Sequence, residues 1–365
     1  MTKRIMTVLI VFFVMLTAGM VTVGLALNKE DQEPVRSMPR SGDAAPVSSY
    51  PRRQLDERSG ALYDALYNGI RKHKEQITLP DTYKRFEYEK IYLTVSMQEP
   101  ELFALDTLYE TGELMQTATI HYAAEKGETE RMREEMEQKA DAIIAKLREG
   151  MTDTQKLMVI HDEIAALCTY REPHGMPDSA YTALVLGTAR CEGYAKAFAY
   201  VCRRAGLDAM LVTGKSMRGE NHVWNKANFD GAYYNVDVTW DDDDSYNGQI
   251  VHSCFGMPDA QFGDHLPDYF GFVPPPSGMN TAQTFYSQRG LQVRDTQTFS
   301  AKIREWINQA GGGALEFQCA DTFTFDSVNH VLRSDTSLLR GTAAAPGTGY
   351  RMILTDECRQ VIVII

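Results

Sequence analysis

Positive charge is in short supply in this chain: 37 Lys and Arg stand against 49 Asp and Glu over 365 residues, for a net charge of −12. Such a surface repels phosphate backbones and anionic headgroups, which excludes nucleic acid as a partner and confines any membrane contact to a dedicated segment. Cysteine is sparse too. The six cysteines (Cys168, Cys191, Cys202, Cys254, Cys319 and Cys358) contain no Cys-x-x-Cys spacing, which speaks against a structural zinc site. Their scatter is not that of a disulfide framework, although six cysteines outside the cytoplasm would permit fifteen pairings. Bulky apolar residues are nearly missing from residues 28–56, a stretch rich in Pro, Ser, Arg, Glu and Asp that cannot bury enough surface to fold. It reads as a flexible stalk.

Ahead of the stalk, Lys3 and Arg4 precede an uncharged run from Ile5 to Leu27. Residues 1–27 therefore read as a signal peptide or an uncleaved transmembrane anchor, and the positive-inside rule places the remainder outside the cytoplasm. A hydrophobic share of 44% supports a full-sized core in the rest. Residues 57–150 form a leader region. It starts with a helical stripe of Leu62, Leu66 and Ile70, continues with a β-like run from Tyr88 to Val95, and then has two strands joined near Thr111-Gly112. A charged amphipathic helix from Glu128 to Glu149 buries Met132, Met136, Ala140, Ile143 and Leu147. Thr152 and Gln155 make a capping box for the next helix, whose inward residues are Leu157, Ile160, Ile164 and Leu167. His161, near that face, reads as a packed histidine.

The chemistry concentrates between Thr182 and Trp240. Cys191 opens a run in which Tyr194, Phe198, Val201 and Cys202 recur at helical spacing, with Gly206 as the stop. A cysteine at a helix N-terminus meets free N–H groups and the positive end of the dipole, which favour the thiolate. Cys202, on the same helix, reads as a small buried hydrophobe. Downstream, Asp230-Gly231 is a two-residue hairpin signal. With that turn, Phe229 pairs with Ala232, opposite positions sum to 461, His222 faces Thr239 and Trp224 faces Asp237. Alternation then places His222, Trp224, Asp237 and Thr239 on one face, and Val223, Phe229, Tyr234, Val236, Val238 and Trp240 on an opposite, core-forming face. His222 and Asp237 become diagonal neighbours within reach of an imidazole–carboxylate hydrogen bond.

A thiolate, an imidazole and an orienting carboxylate are what nucleophilic acyl transfer requires. The motifs that hold them, CEGYAKAF from Cys191, NHVWN from Asn221 and YYNVDVTWDD from Tyr233, resemble the transglutaminase-like superfamily in its bacterial surface branch. The resemblance covers roughly Asp153 to Phe270. It implies Cys191 as nucleophile, His222 as acid/base and Asp237 as orienter, on an α+β, papain-like/transglutaminase-like core spanning 151–275. His222 follows Cys191 by only 31 residues, whereas papain-type proteases separate these roles by roughly 130–150. Papain itself is excluded.

The expected reaction is acyl transfer from a peptide or glutamine amide through a Cys191 thioester. Water as acceptor gives a peptidase or amidase, and a lysine amine gives a protein crosslinker; hydrolysis is favoured. A non-catalytic surface module that binds peptide or glycan is the other class of reading. The expected partner is a protein or peptide substrate, with no organic cofactor and no metal. Asp243, Ser245, Asn247 and Gly248 imitate the first half of a calcium loop, but its twelfth position is Cys254, not Glu. The loop Arg171–Asp178 could border the substrate groove. Residues 276–365 read as a small α/β unit, with a helix through Ile303, Trp306 and Ile307 and an apolar C-terminal strand that must be paired or covered.

Overall fold

The computed structural model describes residues 9–10, 49–242, 248–268, 271–310, 313–334, 349–355 and 359–365. The stalk to residue 48, the calcium-like positions 243–247 and, apart from Leu9 and Ile10, the proposed anchor lie outside the described residues. Among the described residues no helix is long and apolar enough to cross a membrane. The chain divides into two compact units, one of residues 32–242 and 254–279, the other of 1–31, 243–253 and 280–365.

The larger unit begins with the helix Glu57–Arg71, capped by Asp56, whose side chain accepts from Ser59 N at 2.8 Å. It packs on an antiparallel sheet of Gln76–Lys84, Leu114–Tyr122 and Leu105–Tyr109. The β-like reading of Tyr88–Val95 is corrected here: Arg85–Gln98 is an α-helix. Tyr88, Ile91, Tyr92 and Val95 are its buried apolar residues, and their spacing of three and four is helical whatever the strand propensity of Tyr, Ile and Val. Glu87 Oε2 accepts from Lys84 N at 2.8 Å and secures the helix start. The next helix, Lys126–Ile144, stops short of the expected Glu149. Its last turn tightens, with Leu147 N donating to Ile144 O at 2.9 Å, and this keeps Leu147 buried without further helix. The capping box of Asp153–Leu167 forms as expected, with Thr152 N on Gln155 Oε1 and Gln155 N on Thr152 Oγ1. Leu167, expected inside, is 39% exposed.

Beyond these helices lies a five-stranded antiparallel sheet. Its order is Phe255–Met257, Ala232–Val236, Asn221–Phe229, Ala209–Ser216, His265–Pro267. The hairpin register is the expected one, from Phe229↔Ala232 to Asn225↔Val236. Asp230 (φ 50°) and Gly231 (φ 107°) take the left-handed backbone that such a turn needs. The turn is also anchored from outside, because the Asp230 carboxylate accepts from Asp153 N and Thr154 Oγ1 at 2.9 and 2.7 Å.

Gly214 lies in the strand between His222 and the edge strand, where it pairs with both His222 and Pro267. A Cβ at this position would stand 2.3 Å from Leu266 O and 2.9 Å from Pro267 Cα, both backbone atoms. Gly214→Ala is therefore expected to push the edge strand away and to destabilise by about 1–3 kcal/mol, in the range of overpacking. A melting curve and amide exchange of residues 265–267 check this; an unshifted melt with unchanged exchange would contradict the pairing.

The smaller unit has its own sheet, ordered Arg351–Thr355, Gln360–Ile364, Ala314–Cys319, Gln292–Val293, with helices Thr296–Ala310 and Thr322–Ser334. Leu9–Ile10 pairs with Met352 and Arg351. The apolar C-terminal strand is interior, paired on both sides, and Val361, Ile362 and Val363 are fully buried.

Candidate active site

Cys191 is the first residue of the helix Cys191–Arg204. It is half-buried, whereas Cys168, Cys202, Cys254 and Cys319 are buried. Burial pushes the thiol of Cys168 up to about 12 and that of Cys202 well above its ordinary value, which leaves both inert. The helix start is held from another segment: Asp178, at the end of the Arg171–Asp178 loop, accepts from Arg190 N at 3.0 Å and from the Gly193 backbone. Gly193 is required there, because a Cβ would come within 2.5 Å of Asp178 Oδ1 and 2.6 Å of Ala189 Cβ. Beside it, Thr169–Tyr170 pairs in parallel with Thr188–Ala189. Tyr170 is 53% exposed, and its ring lies 6.4 Å from that of Tyr194 on the Cys191 helix.

His222 is buried in the strand Asn221–Phe229. Its Nε2 donates to Asp237 Oδ2 at 2.5 Å. Burial alone would depress this imidazole, but the Asp237 charge and hydrogen bond, joined by the hydrogen bond and charge of Cys191, push it up to about 10. With Nε2 committed to Asp237, Nδ1 is the nitrogen that serves the sulfur. Burial opposes ionisation of Asp237, yet the positive His222 and the hydrogen bonds from His222 and His265 hold its carboxyl well below the usual range. The structure thus brings Cys191, His222 and Asp237 together.

The route to Asp237 differs from the extended hairpin that the sequence suggests. Strand pairing stops at Val236↔Asn225, and Asp237 instead caps the short helical turn Val238–Asp241, with Oδ1 accepting from Thr239 N and Trp240 N at 3.0 and 3.3 Å. Neither the Trp224–Asp237 nor the His222–Thr239 pair forms. The physical reason lies in the sequence: Asp followed by Val-Thr-Trp-Asp is a helix start, and this preference ends the strand. Trp240 is only half-buried, away from the expected core face, and its indole lies 5.3 Å from the His222 ring at 27°. Trp224 lies near-parallel to the imidazole as well, 6.1 Å away at 22°. The sheet is covered on both sides. Asn225 Nδ2 donates to Ala195 O of the Cys191 helix at 2.9 Å, and Lys226 on the other face donates to Asp259 and to Pro275 O. Val223, expected in the core, is only half-buried.

Two histidines complete the surroundings. His161 is fully buried, as a packed residue should be, between Asp162 and Asp241. His265 is buried in the edge strand, and its Nε2 donates to Asp237 Oδ2 at 2.9 Å. No signal in the sequence marks His265, because it reaches Asp237 from the far edge of the sheet.

Residues 140–238 match the family described as the transglutaminase-like superfamily, a span that contains Cys191, His222 and Asp237. Human kyphoscoliosis peptidase is 39% identical over 61 residues, which are 14% of this chain and 9% of that protein's length. Among solved structures, a proposed cysteine protease from Cytophaga hutchinsonii is 15% identical, covers 37% of this chain and 41% of its own, and has a TM-score of 0.27. A TGase is 14% identical, with 41% and 47% covered and a TM-score of 0.27. A proposed protease from Parabacteroides distasonis is 12% identical, with 36% and 35% covered and a TM-score of 0.23. The similarity to the transglutaminase-like superfamily is thus carried by residues 140–238 and the motifs within them.

Proposed function

We propose that this protein is a thiol-dependent acyl-transfer enzyme, with Cys191 as nucleophile, His222 as acid/base and Asp237 as orienter, and that it hydrolyses peptide or glutamine amide bonds. The observation that carries this reading is His222, held by the Asp237 carboxylate on one nitrogen and turned to the half-buried sulfur of Cys191 on the other side. The thiolate adds to the amide carbonyl, and the Cys191 backbone N–H at the helix start is a natural donor to the oxyanion. His222 then protonates the departing amine and leaves a thioester. Water, deprotonated by His222, adds to the thioester and releases the acid and the thiol. The name of the human relative, a peptidase, favours water as acceptor. The proposed site of action is outside the cytoplasm, on the strength of Lys3-Arg4 and the uncharged run after them.

The test uses the purified protein and a peptide that contains both Gln and Lys, with and without an added primary amine, followed by mass spectrometry and an ammonia assay. New peptide termini, or Gln converted to Glu with release of ammonia, support hydrolysis. An amine adduct or a Gln–Lys crosslink would replace hydrolysis by the crosslinking reading. Absence of turnover together with absence of selective labelling by an active-site thiol probe would leave only a binding module.

A further inference from the structure

Asp237 holds more donors than an orienting carboxylate needs. Oδ1 takes the two backbone N–H groups of the turn, and Oδ2 takes two imidazoles, His222 at 2.5 Å and His265 at 2.9 Å. Four donors fill a carboxylate's lone-pair sites. His265 comes from an edge strand that pairs with Gly214–Ser216. It is 5% exposed, and its ring stacks on Phe262 at 3.7 Å and lies 4.2 Å from Trp240 and 5.0 Å from Trp224.

We infer that His265 is a positioning residue of the reaction: its Nε2–H shares the Asp237 oxygen that grips His222, and so sets how strongly that carboxylate holds the catalytic imidazole. The inference rests on the proposed Cys191–His222–Asp237 chemistry.

Three observations point this way. First, the Nδ1 of His265 is buried and has no hydrogen-bond partner among the described residues. A second proton there would bury an N–H without an acceptor. Second, the ring centroid of His222 is 5.4 Å away, so a charge on His265 would face the imidazolium of the reaction. Burial and His222 disfavour the charged form of His265, and the opposing pull of Asp237 and Asp264 does not overcome them. Burial, the facing His222 and the unpartnered Nδ1 together favour the neutral Nε2–H form of His265, a donor without charge. Third, a neutral donor on Oδ2 draws electron density from the oxygen that His222 uses. An unshared buried carboxylate would hold the imidazolium more tightly and make it a poorer acid toward the leaving amine. The charged or titratable groups around this point are His222 from its strand, Asp237 from the turn, Cys191 from the helix start and Asp264 beside His265 itself.

The test compares His265→Phe, which keeps the aromatic packing and removes the donor, with His265→Gln, which keeps a side-chain N–H. For His265→Phe, kcat is expected to fall by about 10–100-fold with KM changed by less than about threefold. The alkaline limb of the rate profile, and of Cys191 alkylation, should move up by about one pH unit as His222 is held more tightly. His265→Gln should restore both to within about threefold of the wild type. A folded His265→Phe protein with an unchanged kcat and pH profile would overturn the inference. Should both variants fail to fold, imidazole 15N shifts of the wild type decide: neutral Nε2–H at His265 from pH 5 to 8 supports the role, and an Nδ1–H or charged ring at pH 7 refutes it. Failure of the underlying chemistry reads differently, as a wild-type protein whose Cys191 shows neither turnover nor selective labelling.

Discussion

Cys191→Ala is expected to lower turnover by at least about 10⁴-fold, the scale seen when a nucleophile is removed from a catalytic unit. On the proposed reading, in which His222 takes the thiol proton, it should also remove rapid alkylation at pH 6. The melting temperature should move by no more than about 4 °C, corresponding to roughly 1 kcal/mol in a unit of this size. Cys202→Ala is the informative contrast. Cys202 is fully buried on the same helix, so its loss opens a small cavity and lowers stability while the labelling of Cys191 persists. Peptide mapping of the alkylated protein, with both variants beside the wild type, checks the pair. Equal, slow labelling of the cysteines in all three proteins at pH 6 would remove the nucleophile from the proposal.

The second large effect is expected at Asp237. Asp237→Asn should cut turnover by about 10²–10⁴-fold, as loss of the orienting carboxylate does in other triads. The variant also faces a geometric conflict. Asp237 presents one oxygen to Thr239 N and Trp240 N and the other to two imidazole N–H groups. An amide has only one oxygen, so either the cap or the histidines meet an NH₂ group, at a cost of about 1–2 kcal/mol. The sign of the pH dependence follows from His222. Its folded value of about 10 lies above an unfolded value of about 6.5. The stability it contributes is complete below pH 6.5 and is lost as pH rises through 10. Asp237→Asn should flatten that alkaline loss, which thermal melts at pH 6 and pH 10 would show. Val236→Asp serves as the register control: Val236 is fully buried and pairs with Asn225, so an added carboxylate there should destabilise strongly. A normally stable Val236→Asp protein beside a fully active Asp237→Asn protein would sink the triad assignment.

What could be read without coordinates depended on how local its cause is. The register of the hairpin follows from two residues, Asp230 and Gly231, whose left-handed backbone admits one kind of turn, and every pair from Phe229 to Asn225 inherits it. The start of the Cys191 helix and the Thr152–Gln155 box are equally local. The helix Arg85–Gln98 was hidden because Tyr, Ile and Val favour strands, and the deciding three–four spacing of its buried residues competes with that preference. The end of the strand at Val236 was legible in principle, since Asp237 and the Val-Thr-Trp-Asp that follows make an N-cap. The role of Asp178 at the helix start and the approach of His265 to Asp237 depend on segments brought together only by the whole sheet. Composition says nothing about them. The smaller unit takes residues 243–253 from the middle of the chain, an exchange that no linker composition announces.

The short turn at Asp230-Gly231 also has a kinetic consequence. His222 and Asp237 are separated by 15 positions, whereas the bonds that tie the leader to the sheet span far more: 113 between Gln98 and Leu211, 104 between Arg203 and Glu99. Closing a loop of 113 rather than 15 residues costs about 2 kcal/mol more in chain entropy. The hairpin that unites His222 and Asp237 therefore belongs among the early contacts of folding, and the docking of the leader among the late ones. Destabilising the leader should mainly speed unfolding, while damage to the turn should slow folding itself. A nascent chain released just past Val236 already holds His222, Asp237 and the turn that joins them, before the strand that carries His265 has been made.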